Sequence, residues 1–587
     1  MTPSLKKWRL APSLDTTQVQ ALASQLNVDP FVAELLIRRG ITTLDDARVF
    51  FRPTLQDLHP PLVMADMKKA VKRVVQAIHN REKVLVYGDY DVDGTTSVAM
   101  MYSFLKQLDV PCEHYIPHRY HEGYGVSAQG VAFAKSEGCS LMITLDCGVK
   151  AVDRVKEANE LGIDVIICDH HKPGTNLPPA LAVLDPMRDD CPYPFKGLSG
   201  CGVGFKLIQA IVEDQGFPDE MLWSYLDLLT ISIGADIVPI IGENRTLCRF
   251  GLDLINKHPR PGVRAMLNAA GFNKESMTIS DVVFILAPRI NAAGRMDRAA
   301  HALELLLAQN DEEALPLSQT IEEFNRNRKE LDKSITESAL EQIAEDPWYE
   351  TAWSTVVFGA DWHKGVIGIV ASRIMDQHYK PTIVFTEKEG ILSGSARSIE
   401  GLDIYEALGS CRDLLIQFGG HAMAAGMTMK LEQFKAFRQK FDEVVKSMIS
   451  QDDLIPVVEI EHELPFDQIS TANYKILKQF APHGPANMKP AFLATQCRDT
   501  SYSRLVGGDF SHLKLHVVQE NGRRAMEGIG FNMSHGLSML KSTEGADLVY
   551  TLEENSWNGK TELQIQVRDI HLANANILTS ATSPEMS

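Results

Sequence analysis

The segment VLVYGDYDVDGTTS, residues 84–97, contains the pattern that decides the fold of this chain. Its apolar run ends at Tyr87 and predicts a buried strand, which leads directly into Asp89, Asp91 and Asp93. On an extended segment, residues two positions apart share one face. Two carboxylates about 4 Å apart repel each other by roughly 4 kcal/mol at an effective dielectric constant of about 20. The sequence therefore predicts a positive charge beside these three acids.

Strand and helix patterns alternate from the start of this segment to about residue 240. Predicted helices separate the predicted strands, which are 83–89, 113–118, 141–148, 164–171 and 181–186. A period of about 25 to 30 residues predicts an α/β fold with a doubly wound parallel sheet. In such sheets the ligand site lies at the carboxyl ends of the strands. The acids and histidines at or just past these ends are Asp89, Asp146, Asp169, His170 and His171.

The composition is that of a globular protein without a membrane span. The 587 residues are 44% hydrophobic and 23% charged, and no run of about 18 apolar residues occurs. The start, MTPSLKKWRLAPS, has no apolar core and is not a secretory signal. Nine cysteines without a CxxC pair predict free thiols in a reducing cytoplasm. The net charge of −18 argues against indiscriminate nucleic-acid binding, but it leaves open a focused basic channel or metal-bound phosphates.

The remaining sequence predicts further domains. Residues 311–347 are rich in charge with apolar residues at helical intervals, which predicts a long, exposed connecting helix. In the all-β region, Asn521-Gly522 and Asn558-Gly559 separate alternating runs and are typical of hairpin turns. A small closed barrel of the oligonucleotide-binding (OB) type fits this region. The predicted segments are an N-terminal segment 1–60, the parallel-sheet lobe 61–310, the helix 311–347, a second α/β lobe 348–450, the all-β region 451–575 and a disordered tail 576–587.

The acidic triplet has two other interpretations when it is taken alone. Counted from Asp89, position six is Gly94, as in a calcium-binding EF-hand loop, but position twelve is Met100 instead of glutamate. A solvated acidic turn is the second alternative. The other acids and imidazoles at strand ends, together with Asp236 after an apolar helix-like run, favour a dinuclear metal centre. Histidine with aspartate suits manganese, and carboxylates also suit magnesium.

Groups that bind phosphate occur further along the chain. The glycine-rich segment 199–206 lacks the G-x-G-x-x-G frame of a dinucleotide site, which favours helix packing or a tight turn. Arginine forks, hydroxyls and backbone amides are the groups that bind phosphate. The candidates are Arg289, Asn291 and Arg295 in PRINAAGRM, Ser393, Ser395, Arg397 and Ser398 in LSGSARSIEG, and His421 in FGGHAMAAG.

A set of motifs occurs in order between about residues 85 and 430: GDYDVDGTTS, TLDCG, DHH, ADIVPIIGENR, PRINAAGRM, WHKGVIGIVASRI, GSARS and GGHAMAAG. In this order they resemble the RecJ family, within the DHH superfamily of phosphoesterases. The resemblance implies a parallel-sheet DHH lobe, joined by a long helix to a second α/β DHH-associated lobe, and a C-terminal OB-type barrel. Cys147 and Val92 depart from the family pattern without removing a ligand, and APHGPANMKPAF follows the family's Gly-Asn-Pro pattern only loosely.

The resemblance also implies an activity. It is the two-metal-ion hydrolysis of single-stranded DNA from the 5′ end to mononucleotides, with Mn²⁺ and/or Mg²⁺, in DNA repair and recombination. The implied partners are single-stranded DNA, a single-strand-binding protein and a helicase, for a monomeric cytoplasmic enzyme. The implied metal ligands are Asp89, Asp91, Asp93, Asp146, Asp169, His170 and Asp236. The implied catalytic residues are His170, His171, Arg289, Asn291 and His421, and the implied 5′-phosphate and DNA-binding residues are Arg119, Ser395 and Arg397.

Two rival functions remain open from the sequence. One is a small-substrate member of the superfamily, such as a pyrophosphatase or a phosphodiesterase for nano-RNA or cyclic dinucleotides, although such chains are shorter and lack the barrel. The other is an inactive scaffold that binds single strands at a replication fork. Such scaffolds lose metal ligands, whereas the acids and the Asp-His-His triplet are present here.

Overall fold

The computed structural model describes residues 6–557, 560–573, 575 and 578–580. The chain forms two compact units. One contains Arg52–Leu331 and Pro482–Met488, and the other contains the residues up to Phe51, Asp332–Ala481 and the residues from Lys489 onward. In the described part of the chain, no helix is both long and apolar enough to cross a bilayer.

The N-terminal segment is a strand followed by short helices. Asp15 and Asp29 cap two of these helices by accepting hydrogen bonds from the backbone N–H groups of Thr17 and Phe31. Pro30 stands at the first position of its helix, where the missing N–H costs nothing. The elements are β1 (Lys7–Leu10), α1 (Thr16–Leu26), α2 (Pro30–Arg38) and α3 (Leu44–Phe51).

The first α/β lobe has the predicted parallel sheet. Its strands are β2 (Val84–Gly88), β3 (Cys112–Tyr115), β4 (Leu141–Leu145), β5 (Asp164–Cys168) and β6 (Ala182–Leu184), in the order β3-β2-β4-β5-β6. All neighbouring strands pair in parallel. Its helices are α4 (Met67–Asn80), α5 (Val92–Gln107), α6 (Ala128–Ser136), α7 (Val152–Glu160), α8 (Gly200–Gln215), α9 (Glu220–Trp223), α10 (Leu226–Ala235), α11 (Gly242–Lys257), α12 (Pro261–Ala269), α13 (Ile279–Asp281), α14 (Ala287–Met296) and α15 (Ala300–Leu307).

Both faces of this sheet are covered, as an apolar strand such as β2 requires. Val84 and Val86 belong to the large apolar cluster that also contains residues of α5, α8 and α10. Leu85 and Tyr87 belong to a separate cluster with residues of α6 and α7. Side chains of a strand alternate between faces, and this alternation explains why the whole of β2 is buried.

A single helix, α16 (Asp311–Glu345), occupies the predicted connecting segment. The second α/β lobe follows it. The elements are α17 (Trp348–Thr351), β7 (Thr355–Gly359), α18 (Ile367–His378), β8 (Thr382–Lys388), β9 (Ile391–Arg397), α19 (Ile404–Gly409), β10 (Gln417–His421), β11 (Ala424–Lys430) and α20 (Phe434–Met448). The strand order is β10-β11-β9-β8-β7; β7 and β8 are parallel and the other pairs antiparallel.

The all-β region closes into a barrel. The ring is β14-β18-β19-β17-β16, and β16 pairs back with β14. Asn521 and Gly522 lie in the turn between β16 and β17, as predicted, whereas Asn558-Gly559 lies outside the described residues. The elements are β12 (Val457–Ile460), β13 (His462–Glu463), α21 (Thr471–Lys478), β14 (Phe492–Asp499), β15 (Arg504–Val506), β16 (His512–Gln519), β17 (Ala525–Gly530), α22 (Gly536–Leu540), β18 (Ala546–Trp557), β19 (Lys560–Leu572) and β20 (Leu578–Ser580).

Part of the predicted disordered tail 576–587 forms a strand instead. Strand β20 pairs in parallel with β1, whose other side pairs in parallel with β12. The backbone of β1 thus supplies hydrogen-bond partners for residues 578–580. The composition of the tail does not predict this pairing.

Candidate metal centre

The carboxyl ends of the parallel strands bring the predicted acids together at one edge of the sheet. Asp89 follows β2, Asp146 follows β4, and Asp169 follows β5. Asp236 follows the last residue of α10. Three overlapping groups offer ligand atoms that lie within 4.8 Å of one another. The first group is Asp89, Asp91 and Asp146, the second is Asp93, His170 and Asp236, and the third is Asp146, His170 and His171.

The ring of His170 is placed to bind a cation. Its Nε2 atom lies 3.2 Å from Asp146 Oδ1 and 3.5 Å from Asp236 Oδ2. The same atom lies 3.8 Å from Asp93 Oδ2. Burial lowers the pKa of His170, so the ring is neutral and offers the lone pair that a metal ion requires.

Two buried atoms show that these residues fit a divalent ion. His170 Nε2 and Asp89 Oδ1 are both buried, and neither has a hydrogen-bond partner among the residues that the structure describes. Such orphaned polar atoms are uncommon in folded proteins and need an explanation. Carboxylate oxygens with one or two imidazole nitrogens are ligands that Mn²⁺ accepts, and the carboxylates also suit Mg²⁺. A divalent ion is therefore the partner that both atoms lack.

Asp93 is fixed by hydrogen bonds from four donors, of which the most distant is the Ser97 hydroxyl, 3.4 Å from Oδ1. The backbone N–H of Gly200 donates to its Oδ2 at 2.7 Å, and that of Cys201 donates to its Oδ1 at 2.8 Å. The Ser232 hydroxyl also donates to Oδ1, at 2.7 Å. Position 200 must be glycine, because a Cβ there would lie 2.5 Å from the Cβ of Asp146. The packing of α8 against the acids thus holds two of them in place.

Sequence analysis missed this role of the segment 199–206. It predicted helix packing or a tight turn, and α8 does begin at Gly200 with Ser199 as its cap. The first amides of a helix have no partner within the helix and favour an anion. A serine followed by glycines before an apolar run marks such a helix start, but nothing local identifies Asp93 as its partner.

Sequence analysis expected Asp169 to be a metal ligand, but its carboxylate faces His171. Among the described residues, Asp169 belongs to none of the three ligand groups. Its carboxylate accepts hydrogen bonds from the backbone N–H groups of Val149 and His170, at 2.9 and 2.8 Å. Its Oδ1 lies 2.7 Å from His171 Nδ1. A carboxylate in this position fixes the orientation of the imidazole ring.

The pKa values of Asp169 and His171 are shifted in opposite directions. Burial alone would raise the pKa of Asp169, but its hydrogen bonds with His171 and the backbone lower it. Burial opposes a charge on His171, yet the hydrogen bond with Asp169 raises its pKa to about 9. Tyr124 adds a hydroxyl 3.1 Å from His171 Nδ1. At neutral pH the pair is therefore a carboxylate and a protonated imidazole.

The expectation that Asp89, Asp91 and Asp93 share one extended face is wrong. Strand β2 ends at Gly88, and α5 begins at Val92. Asp91 caps α5 by accepting a hydrogen bond from the N–H of Gly94 at 3.0 Å, and Asp93 lies in the first turn. The chain changes from strand to helix within the triplet, so the periodicity of an extended segment does not apply.

Burial and mutual repulsion disfavour the ionised form of these acids when no cation neutralises them. Burial, followed by the neighbouring charge of Asp91, raises the pKa of Asp89. Burial also raises the pKa values of Asp93 and Asp146. Burial, followed by the neighbouring charge of Asp93, raises the pKa of Asp236 to about 8. A divalent ion reverses this balance, because its charge stabilises the ionised carboxylates.

Known proteins match this chain over most of its length. A protein of Bacillus subtilis named single-stranded-DNA-specific exonuclease RecJ is 37% identical over 571 residues, which cover 97% of this chain and 71% of that protein. The Escherichia coli protein of the same name is 33% identical over 92% of this chain and 96% of its own length. The chain belongs to the RecJ family.

Family models and solved structures agree with this assignment. The model of the DHH family N-terminal domain matches residues 83–233, that of the DHHA1 domain matches 351–447, and that of the RecJ OB domain matches 460–569. The crystal structure of RecJ in complex with Mn²⁺ from Thermus thermophilus has a TM-score of 0.83 at 28% identity, over 97% of this chain and 80% of that one. The Mg²⁺ complex from the same organism has a TM-score of 0.77 at 26% identity, over 98% of this chain and 80% of that one. The expected fold is therefore confirmed.

Other RecJ site predictions fall on the same unit as the acids. Arg289 on α14 is buried and forms a two-pronged ion pair with Glu322, with Nε 2.6 Å from Oε2. Asn291 is half-buried on the same helix. The Arg119 guanidinium lies over the ring of Tyr90 at 4.5 Å and borders a cavity of about 520 Å³.

The remaining RecJ site predictions belong to the unit that contains the barrel. Arg397 at the end of β9 donates from Nε to the Ser372 hydroxyl and from Nη1 to the Ser395 hydroxyl, both at 3.1 Å. These groups pack against the first turn of α18, because a Cβ at Gly368 would lie 3.0 Å from Ser395 Oγ. His421 ends the edge strand β10 and is exposed.

Cys147, which departs from the RecJ pattern, is not part of the ligand set. It is fully buried in the apolar cluster that contains Tyr87 and Val149. Burial raises the pKa of its thiol well above the usual value. The neutral thiol therefore packs behind the acids.

Proposed function

We propose that this RecJ-family exonuclease hydrolyses single-stranded DNA from the 5′ end to mononucleotides, with two divalent ions. Family membership makes the chain a nuclease for single-stranded DNA that uses a divalent metal. The observation that carries the proposal is the convergence of Asp93, Asp146 and Asp236 on the buried Nε2 atom of His170.

Two separate ligand groups support the number of ions. One group is Asp89, Asp91 and Asp146, and the other is Asp93, His170 and Asp236. These two groups share no residue, which suits two neighbouring ion positions. When bound, such ions lower the pKa of a coordinated water and neutralise charge on the phosphate. The protein residues hold the ligand geometry before DNA arrives.

His171 is suited to contact the DNA backbone. Its ring is protonated at neutral pH, because Asp169 raises its pKa to about 9 after the opposing effect of burial. The side chain is 41% exposed, so the nitrogen that does not face Asp169 can reach a ligand. A charged N–H here would donate a hydrogen bond to a phosphate oxygen.

A 5′-phosphate site would explain the direction of degradation. Ser395 and Arg397 lie together against the start of α18, and a guanidinium beside helix amides suits a terminal phosphate. We assign these residues and Arg119 to the 5′-phosphate. Arg289, Asn291 and His421 are assigned to the scissile phosphate and the backbone near it.

The barrel offers a stacking surface for the rest of the strand. Of the barrel side chains that the structure describes, three aromatic ones are unusually exposed, namely Tyr502 (71%), Phe510 (64%) and Phe531 (51%). Exposed aromatics on an OB barrel bind bases of any sequence by stacking. We further propose a monomeric cytoplasmic enzyme of DNA repair and recombination that acts with a single-strand-binding protein and a helicase.

Replacing Asp146 with alanine tests the reaction. The full-length variant should lose Mn²⁺-dependent release of mononucleotides from a 5′-phosphorylated single strand, because Asp146 belongs to two ligand groups. Binding of the strand should remain. Asp189→Ala, which changes an exposed acid of the same lobe, is the control. Normal cleavage by the Asp146 variant, or release from the 3′ end, would refute the proposal.

A further inference from the structure

The carboxylate of Asp236 is held in a different way from those of Asp93 and Asp169. Asp93 accepts hydrogen bonds from four donors, and Asp169 accepts them from three backbone N–H groups. Among the described residues, no hydrogen-bond donor holds the Asp236 carboxylate, and its Oδ2 atom lies 3.5 Å from His170 Nε2. Its position therefore depends on the backbone that carries it.

That backbone is the linker 236–241 between α10 and α11. Ile237 has a left-handed conformation with φ of 59°, so the linker turns directly after Asp236. The Asn244 side chain donates to the carbonyl of Pro239 at 3.0 Å. The N–H of Ile240 donates to the carbonyl of Pro485 at 2.8 Å. The second of these anchors comes from a distant part of the chain.

Pro485 belongs to a compact turn, residues Pro482–Met488, which we call the latch. The latch lies in the chain between α21 and β14 but packs in the unit that contains the acids. Gly484 and Asn487 exchange two backbone hydrogen bonds, at 2.9 and 3.2 Å. The buried Asn487 side chain donates to the carbonyl of Pro482 at 2.9 Å. The latch is therefore a turn that is stabilised by its own internal hydrogen bonds.

The latch and the linker are in tight contact. Ile240 is fully buried, and a Cβ at Gly484 would lie 2.4 Å from its Cγ1 atom. Real Cβ atoms do not approach another carbon this closely, so a side chain at position 484 forces Ile240 to move. Because Ile240 also donates to Pro485, that movement strains the linker four residues after Asp236.

We propose that the latch is a positioning element for the metal ligand Asp236. It holds the linker so that the carboxylate faces His170 and Asp93. The residues before the barrel thus help to build the metal site, a role that rests on the proposed function. Gly484 and Asn487 of the latch, together with Ile240 of the linker, are the positioning residues.

The test compares Gly484→Ala with Gly409→Ala in the full-length protein. A Cβ at Gly409 would meet nothing closer than 4.0 Å, so this control adds the same methyl group without a clash. Mn²⁺ binding is measured by electron paramagnetic resonance of the free ion, and binding of single-stranded DNA by fluorescence anisotropy. We expect roughly tenfold weaker Mn²⁺ binding for Gly484→Ala, as for the loss of other groups that orient a ligand, with unchanged DNA affinity.

A compensating variant separates positioning from general damage. Ile240→Ala removes the Cγ1 atom that the new methyl group would meet, so the double variant Gly484→Ala/Ile240→Ala should regain Mn²⁺ affinity relative to Gly484→Ala. Hydrogen exchange of the Ile240 amide should be faster in Gly484→Ala than in the control. Equal Mn²⁺ affinity in Gly484→Ala and Gly409→Ala would overturn the proposal.

Two further results separate a folding defect and a failure of the proposed function from a failure of the latch proposal. If Gly484→Ala does not unfold cooperatively, Asn487→Ala replaces it, with the same expected and overturning results. It removes the hydrogen bond to Pro482 without adding volume. If the unmodified protein neither binds Mn²⁺ nor cleaves DNA, the proposed function fails. If it does both and the latch variants bind Mn²⁺ normally, only the latch proposal fails.

Discussion

Replacing Ser232 with alanine should weaken metal binding by removing one support of Asp93. The Ser232 hydroxyl donates to Asp93 Oδ1 at 2.7 Å and lies 2.6 Å from the Ser199 hydroxyl. Since Ser232 has one hydroxyl hydrogen, which Asp93 accepts, Ser199 donates to Ser232 in turn. The substitution therefore removes one donor from a buried carboxylate and leaves the Ser199 hydroxyl without that acceptor.

The size of the effect follows from the hydrogen bond that is lost. A hydrogen bond to a charged group contributes about 1.5 to 3 kcal/mol, and about 1.4 kcal/mol corresponds to a factor of ten in affinity. The N–H groups of Gly200 and Cys201 still donate to Asp93, so we expect the lower end of this range. Mn²⁺ should bind roughly tenfold more weakly to the Ser232→Ala protein.

Titration of the full-length protein with Mn²⁺, followed by electron paramagnetic resonance, measures this change. Ser97→Ala is the matched control, because the Ser97 hydroxyl is also buried but donates to the same Asp93 oxygen over 3.4 Å, a longer and weaker hydrogen bond than that of Ser232. Loss of the Ser232 donor also favours the protonated form of Asp93, so the binding curve should shift to higher pH. Equal affinities for the Ser232 and Ser97 variants would refute the reasoning.

The other predictions concern the phosphate-binding residues, the barrel and pH. Arg397→Ala should abolish the preference for a 5′-phosphorylated over a 5′-hydroxyl strand in a competition assay, whereas Arg412→Ala, at an exposed arginine, should keep it; an unchanged preference in the first variant would remove Arg397 from the pocket. Phe510→Ala should weaken single-strand binding by roughly 1 to 3 kcal/mol in fluorescence anisotropy, and full affinity would exclude the ring from the binding surface. Burial raises the pKa of Asp236 to about 8 in the folded chain, from roughly 4 in the unfolded chain. The protonated carboxyl therefore contributes to the stability of the metal-free fold below about pH 4. This contribution is lost as pH rises through about 8. The increase in Tm on adding Mn²⁺ should therefore grow over that range, and an increase that does not depend on pH would contradict this assignment.

Local patterns were sufficient to predict most of the fold. The apolar run of β2 and its neighbours predicted the parallel sheet, and alternating residues predicted the barrel, because both patterns reflect burial of each strand by its own side chains. The three-stranded sheet of β12, β1 and β20 could not be predicted in this way. It pairs Lys7 with Val457, and no local periodicity records a partner so distant in the chain.

The candidate site likewise has features that the sequence predicts and features that it does not. Position at strand ends predicted that Asp89, Asp146 and His170 lie close together, because topology alone brings those ends together, and the structure places them in overlapping candidate ligand groups. It could not separate a ligand from an orienting acid, so Asp169 was expected to bind metal although it faces His171. That distinction depends on side-chain direction and on donors such as Val149, which the sequence does not place.

The support of Asp93 by backbone amides has a consequence for the mutational landscape of the enzyme. The N–H of Cys201 is present whatever side chain stands at that position, so no single substitution other than proline deletes this donor. At Gly200 the donor is equally permanent, but any side chain collides with Asp146. Saturation mutagenesis should therefore find inactive variants crowded at position 200 and small residues accepted at 201, although both positions serve the same carboxylate.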